Sequence, residues 1–234
     1  MQEKIQSYNR DLKDASAREI ISFFCAEFAD QIAFATSLGA EDQVITHMIA
    51  NTDPTVRIIT LDTGRLFQES YDLIDITRKK YGMVIHISFP DGEDVEEMVS
   101  AHGINLFYDS VENRKLCCHI RKVEPFKRAL RGLDAWFSGL RKDQSVTRKN
   151  RELVEWDETN EMIKINPLLN WTEAQVWDYI KTHGIPYNPL HDKGFPSIGC
   201  LPCTRAILPG EDLRAGRWWW ENPDNRECGL HLKE

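Results

Sequence analysis

A chain of 234 residues, 41% hydrophobic and 28% charged, is long enough to bury a substantial core without disulfide staples, which excludes a cross-linked mini-fold. The opening MQEKIQSYNRDLKDAS holds no apolar leader core, and no later run approaches the about 18 apolar residues of a membrane span. With a net charge of −8, a soluble cytoplasmic protein with neither membrane nor nucleic acid as partner is expected.

Ser16-x-x-Glu19 spells a capping box, and the apolar spacing of AREIISFFCAEF predicts a helix over Ala17–Phe28. Cys25 lies among aromatic and aliphatic neighbours inside it and reads as a core residue. QIAFATSLGAEDQVITHMI follows as a strand, a small-residue turn containing Gly39, and an amphipathic helix. VRIITLDTGRLF repeats the pattern, with a strand over Ile58–Leu61 and a helix in LFQESYDLIDITRKKY. MVIHISF supplies a third strand, a polar helix follows near Asp94–Ala101, and DAWFSGLR supplies a fourth strand ending at Gly139.

Beyond these, ELVEWDETNEMIKINPLL reads as a hairpin turning around Glu158–Asn160, and WTEAQVWDYIKTHG as a helix that Gly184 ends. From Ile185 the chain is rich in Pro, Gly and Cys and predicts an irregular C-terminal extension. No repeat or low-complexity linker interrupts the pattern. Strands alternating with helices of these lengths define the α/β class, a doubly wound, mostly parallel sheet. Ligands of such sheets sit beyond the carboxyl ends of the strands, which directs attention to TSLGAED, LDTGR and GLRKDQSVTR.

Six cysteines in a chain of this class are expected to stay reduced. Four of them form two pairs, Cys117-Cys118 in KLCCHIRK and Cys200-x-x-Cys203 in GCLPCTR. A CxxC loop brings two thiolates to one metal and a second pair completes a four-sulfur site, for zinc or for an iron–sulfur cluster; spacing does not choose between them. A Cys200–Cys203 redox pair and simple packing are the competing readings. From Arg114 to Arg151, twelve Lys and Arg stand against three Asp and Glu, a local +9 in an acidic chain. That concentration reads either as a focused anion site or as a solvated basic face. Arg121 and Lys122, beside the adjacent cysteines, suit either charge compensation of thiolates or an anionic substrate.

The TSLGAED turn offers small residues and a helix N-terminus to an approaching phosphate. It resembles the Ser-Gly-Gly-x-Asp-Ser loop of ATP pyrophosphatases, but Leu38 and Gln43 depart from that pattern, which disfavours pyrophosphate release. At the other end, Cys228 sits in a polar segment too short to bury it, which points to a reactive rather than a packing thiol.

In order along the chain, TSLGAED, LDTGRLF, LCCHIRK, SGLRKDQSVTR, GCLPCTR, RAGRWWWE and RECGLH resemble the assimilatory adenylyl-sulfate reductases, the iron–sulfur-containing bacterial type of the PAPS/APS reductase family. The resemblance spans nearly the whole chain. It implies a single reductase domain over residues 1–234 on a fold of the adenine nucleotide α-hydrolase-like type, with a core over about 17–184 and a cluster loop and mobile catalytic tail over about 185–234. It implies thioredoxin-dependent reduction of adenosine 5'-phosphosulfate to sulfite and AMP, a step of sulfate assimilation toward cysteine. It also implies a [4Fe-4S] cluster on Cys117, Cys118, Cys200 and Cys203, and Cys228 as the nucleophile that becomes an S-sulfocysteine. Lys122, Arg148, Arg214 and Arg217 match positions that hold the phosphosulfate; Thr63 and Gly139 match the adenosine pocket. Thr36, Ser37 and Gly39 join the substrate set, with Leu38 where a serine is common. Lys122 and His231 stand with Cys228 as catalytic candidates, the alternative for His231 being an idle exposed imidazole.

A nucleophile that first reaches a bound nucleotide and then presents its adduct to a partner needs mobility, which a polar terminal segment supplies. An ordinary cysteine, with pKa about 8.5, is mostly thiol at neutral pH; Arg214, Arg217, Arg226 and His231 are candidates to raise its thiolate fraction. RWWWE is expected to anchor the tail, since three adjacent tryptophans do not all face one core. No reductant domain follows the tail before Glu234, so a separate thioredoxin-like donor is expected. Use of the 3'-phosphorylated nucleotide, or of both, stays open, as does oligomeric state. Two further classes are an Fe–S-dependent RNA sulfurtransferase, which gives the ECGLH tail no role, and a zinc-stabilised binding module without catalysis.

Overall fold

The computed structural model describes residues 1–144 and 148–222. Its elements are helix α1 (Gln2–Asp11), α2 (Ala17–Phe28), strand β1 (Ile32–Thr36), α3 (Ala40–Ala50), β2 (Arg57–Leu61), α4 (Gln68–Tyr81), β3 (Ile85–Ser88), α5 (Gly92–His102), α6 (Val111–Cys118), a π-turn over His119–Val123, α7 (Glu124–Leu130), β4 (Ala135–Phe137), β5 (Val154–Asp157), β6 (Met162–Ile165) and α8 (Glu173–His183). The alternation read from the sequence is present; β2 begins one residue earlier than expected, at Arg57, and β4 stops at Phe137 rather than Gly139.

The six strands form one sheet in the order β3-β2-β1-β4-β6-β5. β1 pairs in parallel with β2 and β4, β4 pairs in parallel with β6, and only β5 runs antiparallel, as the hairpin partner of β6. The register aligns Phe34 with Ile58 on one side and Phe137 on the other, so apolar side chains sit in rows across the sheet. The Ser16 hydroxyl accepts from the Glu19 amide and the Glu19 carboxylate accepts from the Ser16 amide, so the capping box starts α2 where expected. Gly184 ends α8 in the left-handed conformation at φ 56°. Cys25 is buried, and burial pushes its thiol up to about 12, as suits a packing residue.

Helices α1 and α7 are elements the sequence pattern did not mark. QEKIQSYNRD has too few apolar residues for a visible stripe; it buries only Ile5 and Tyr8, and Asn9 holds it to the edge strand by hydrogen bonds with the amide and carbonyl of Val154. That contact also covers an otherwise open strand edge.

The chain divides into two compact units. The first holds Met1–Thr60, Glu69–His86 and Gly132–Asn188, with an apolar core around Phe24, Phe34, Ile45 and Phe137. The second holds Leu61–Gln68, Ile87–Arg131 and the described part of Pro189–Glu234, with a smaller core of Met98, Leu106, Phe107, Trp218 and three of the cysteines. No described helix is long and apolar enough to cross a membrane.

Candidate active site

In the second unit the four paired cysteines meet. Cys117 and Cys118 close helix α6, which the Ser110 side chain caps by accepting from the Asn113 amide. Cys200 and Cys203 bracket a single 3-10 turn, with the Cys203 amide donating to the Cys200 carbonyl. All four cysteines line one pocket, whose other walls include Arg65, Phe107, Arg114, Arg121, Lys122 and Trp218. None of the four is in a disulfide. Among the described residues no three His, Cys, Asp or Glu side chains close on a single-ion site.

The local charge concentration is split, with Lys115, Lys127, Arg128, Arg131 and Lys149 exposed to solvent and four arginines inside. Arg114, Arg121, Arg141 and Arg148 are all buried. Arg114 forms a two-pronged pair with Glu221, Nε to Oε1 at 3.0 Å and a terminal nitrogen to Oε2 at 2.8 Å, and also donates to Cys118. It lies over the Trp218 ring at 4.8 Å, and Arg217 stacks on the same ring at 4.6 Å. Of the three adjacent tryptophans, Trp218 is thus the anchor, at 1% exposure, whereas Trp219 is 37% exposed. Trp218 adopts φ 44° and donates its amide to the Cys203 carbonyl, a left-handed backbone that surrounding contacts must hold for so bulky a residue.

The charge of Lys122 acts on the Cys200 sulfur, and the Thr63 hydroxyl lies 3.2 Å from the same sulfur. Burial alone would raise the Cys200 thiol, but Lys122, the Thr63 hydroxyl and Arg217 outweigh it and leave Cys200 below its ordinary value. Burial pushes Cys117 up, and it pushes Cys203 up to about 12, with the neighbouring Cys200 sulfur adding to the effect. Arg217 lies flat against Gly199, where a β-carbon would meet its guanidinium at 2.3 Å, and donates to Ser197 and the Ile198 carbonyl. Arg214 precedes it in the turn that its carbonyl closes onto the Arg217 amide.

The first unit carries the other expected residues. Thr36 ends β1, and its hydroxyl accepts from the Leu38 amide at 3.0 Å. The Asp42 carboxylate, buried in the first turn of α3, accepts from the Ser37 amide at 2.5 Å and the Ser37 hydroxyl at 2.7 Å. The amides of Ser37 and Leu38 are therefore engaged within the turn itself. Gly39 caps α3, Gly139 packs on Asp42, and Arg148 adds positive charge that steadies the same carboxylate. Burial nevertheless holds Asp42 up at about 6. Arg148 donates to the Gln144 side chain, and Arg141 pairs with Glu41 at 2.8 Å.

Thr63 thus belongs with the cysteines and Gly139 with Asp42. Sequence reading missed Asp42, Arg65, Arg114 and Glu221; the last two stand 107 positions apart, with no local pattern to mark their pairing. Cys228, Arg226 and His231 lie outside the described residues, as does the Ser145–Thr147 part of GLRKDQSVTR.

A mostly parallel sheet in the first unit and a pocket lined by four cysteines in the second define an α/β protein with a sulfur-rich centre. Residues 31–206 match the phosphoadenosine phosphosulfate reductase domain, and the chain belongs to that family. It is 53% identical over 222 residues to the adenosine 5'-phosphosulfate reductase of Allochromatium vinosum, covering 95% of this chain and 86% of that one. It is likewise 53% identical over 203 residues to the enzyme of the same name from Burkholderia cepacia, covering 87% and 81%. Among solved structures, the phosphoadenylyl-sulfate reductase of Candida auris in its phosphate complex superimposes with a TM-score of 0.76 at 35% identity, over 88% of this chain and 98% of that one. Candida glabrata FMN adenylyltransferase, at 16% identity and TM-score 0.58 over 98% and 78%, shares the fold alone.

Proposed function

We propose that the protein is an adenylyl-sulfate reductase: it reduces adenosine 5'-phosphosulfate to sulfite and AMP with thioredoxin as electron donor, in the cytoplasm, as part of sulfate assimilation. The observation that carries this reading is the pocket that gathers Cys117, Cys118, Cys200 and Cys203 among buried cations, in a chain 53% identical to proteins of that name.

The four thiols fit a [4Fe-4S] cluster. They are reduced, they share one cavity, and Lys122, Arg114 and Arg217 are placed to offset thiolate charge. Cys117, Cys118, Cys200 and Cys203 would hold the cluster, which would supply a polarisable iron–sulfur centre beside these cations. The substrate contacts we propose are Thr36, Ser37, Gly39, Gly139 and Arg148, with Thr63, Lys122, Arg214 and Arg217. Arginine suits the phosphosulfate because its planar fork binds two oxygens at once and stays charged.

In the reaction proposed, the Cys228 thiolate attacks the sulfate sulfur; a sulfur–sulfur bond forms, the bond to the phosphate oxygen breaks, and AMP leaves with that electron pair. Cations beside the leaving phosphate offset the charge it gains. A thioredoxin thiolate then attacks Sγ of Cys228 and expels sulfite with the bonding pair. The second thioredoxin thiol resolves the mixed disulfide, leaving oxidised thioredoxin and free Cys228. His231 stands near enough in sequence to assist the proton balance of Cys228.

The experiment is an anaerobic assay of sulfite release with thioredoxin from the 5'-phosphosulfate and from its 3'-phosphorylated form. Preferential turnover of the first supports the reading; preferential turnover of the second assigns the chain to the other substrate. Release from neither overturns it.

A further inference from the structure

Arg121 is surrounded by anionic candidates, yet its guanidinium is committed to a carbonyl. It sits on the π-turn His119–Val123 that follows the adjacent cysteines, an irregularity of the kind that re-aims side chains at functional sites. The side chain is buried and donates to the Thr63 carbonyl at 2.7 Å. It packs against Gly64, whose φ of 71° keeps the turn tight, while the Gly64 amide donates to Asp62 at 2.7 Å. Nε of Arg121 has no partner among the described residues, so the Thr63 carbonyl is the main return for burying this charge.

The turn that Arg121 grips also grips the opposite cysteine loop. The Thr63 hydroxyl lies on the Cys200 sulfur at 3.2 Å, and the Arg65 carbonyl accepts from the Leu201 amide at 2.8 Å. A continuous path therefore runs from the segment after Cys117-Cys118, through Arg121 and the Thr63 carbonyl, to the Thr63 hydroxyl and Cys200. Arg65 reinforces the turn from outside by donating to the Ile104 carbonyl and Asn105 and lying over Phe107 at 5.1 Å.

We propose that Arg121 is a positioning residue: acting through the Thr63 turn, it holds the Cys200 loop in register with the Cys117-Cys118 helix, and so sets the four sulfurs for the group they bind. It is not a substrate contact. This rests on the reading of the four cysteines as a cluster site.

The test is a double-mutant cycle on the full-length, iron-loaded protein, with release of iron to a chelator as the readout. Arg121→Met and Thr63→Ala are each expected to speed release about ten-fold, the scale of one charge-assisted hydrogen bond. If Arg121 acts through Thr63, the double variant releases iron no faster than the faster single variant. Effects that multiply, or an Arg121→Met release rate equal to wild type, overturn the proposal. Should Arg121→Met not accumulate folded, Arg121→Lys, which keeps the charge but not the fork, goes through the same cycle with the same criterion. Wild-type protein that holds no iron would instead contradict the cluster reading itself.

Discussion

A β-carbon on Gly139 would lie 1.9 Å from Oδ1 of Asp42, a distance no real contact reaches. The end of strand β4 and the first turn of α3 therefore meet only because position 139 has no side chain. Gly139→Ala must push Asp42 off Ser37 or shift the backbone. Overpacking of this kind costs about 1–3 kcal/mol, so thermal unfolding should begin several degrees lower, and nucleotide affinity should fall with it. An unchanged midpoint and affinity would show that the contact yields freely.

The titration of Asp42 gives a pH prediction with a definite sign. Its folded pKa, about 6, lies above the about 3.9 of an unfolded aspartate. The folded state then binds the proton more tightly between these values, so this group favours folding at low pH and loses that contribution as pH rises through 6. Over that window it removes up to about 3 kcal/mol. Asp42→Asn lacks the titration, so urea unfolding should show the wild type losing stability relative to the variant between about pH 4 and 7. Parallel pH profiles would contradict it.

The Arg114–Glu221 pair predicts a different signature. Both side chains are almost wholly buried, at 2% and 3% exposure. Glu221→Ala strands the guanidinium, and breaking such a pair costs about 3–5 kcal/mol. Replacing both residues by methionine removes the stranded charge and should recover much of that loss, though the contacts of Arg114 with Cys118 and with the Trp218 ring are lost as well. Chemical denaturation of the two variants measures this directly; equal losses in both would show that packing, not charge, dominates.

Much of this architecture was legible because it is local. The capping box at Ser16, the β5–β6 hairpin and the Gly184 stop each depend on residues within a few positions of one another, and the structure places them where the pattern did. What escaped depends on distant partners. Helix α1 is held by two side-chain bonds from Asn9 to a strand far along the chain, so its sequence shows no stripe. The basic segment looked equally like a solvated face because nothing near Arg114 in sequence names Glu221. The hold of the Asp42 carboxylate on the Ser37 amide was likewise unmarked in the TSLGAED turn.

Lys122 separates substrate binding from cluster binding. Its charge acts on the Cys200 sulfur, yet it is not one of the four sulfur ligands proposed. Lys122→Ala is expected to weaken nucleotide binding about ten-fold or more while iron content stays near that of wild type. Wild-type affinity and rate in the variant would remove Lys122 from the substrate set.

The central claim is that sulfur leaves the nucleotide by bonding to a cysteine of the chain itself. Protein incubated with adenosine 5'-phosphosulfate and no reductant, then digested and weighed by mass spectrometry, should carry a sulfonate on the peptide containing Cys228, removable by thioredoxin and absent in Cys228→Ser. A Cys228 peptide of unmodified mass, in protein that nonetheless releases sulfite once thioredoxin is added, would contradict it.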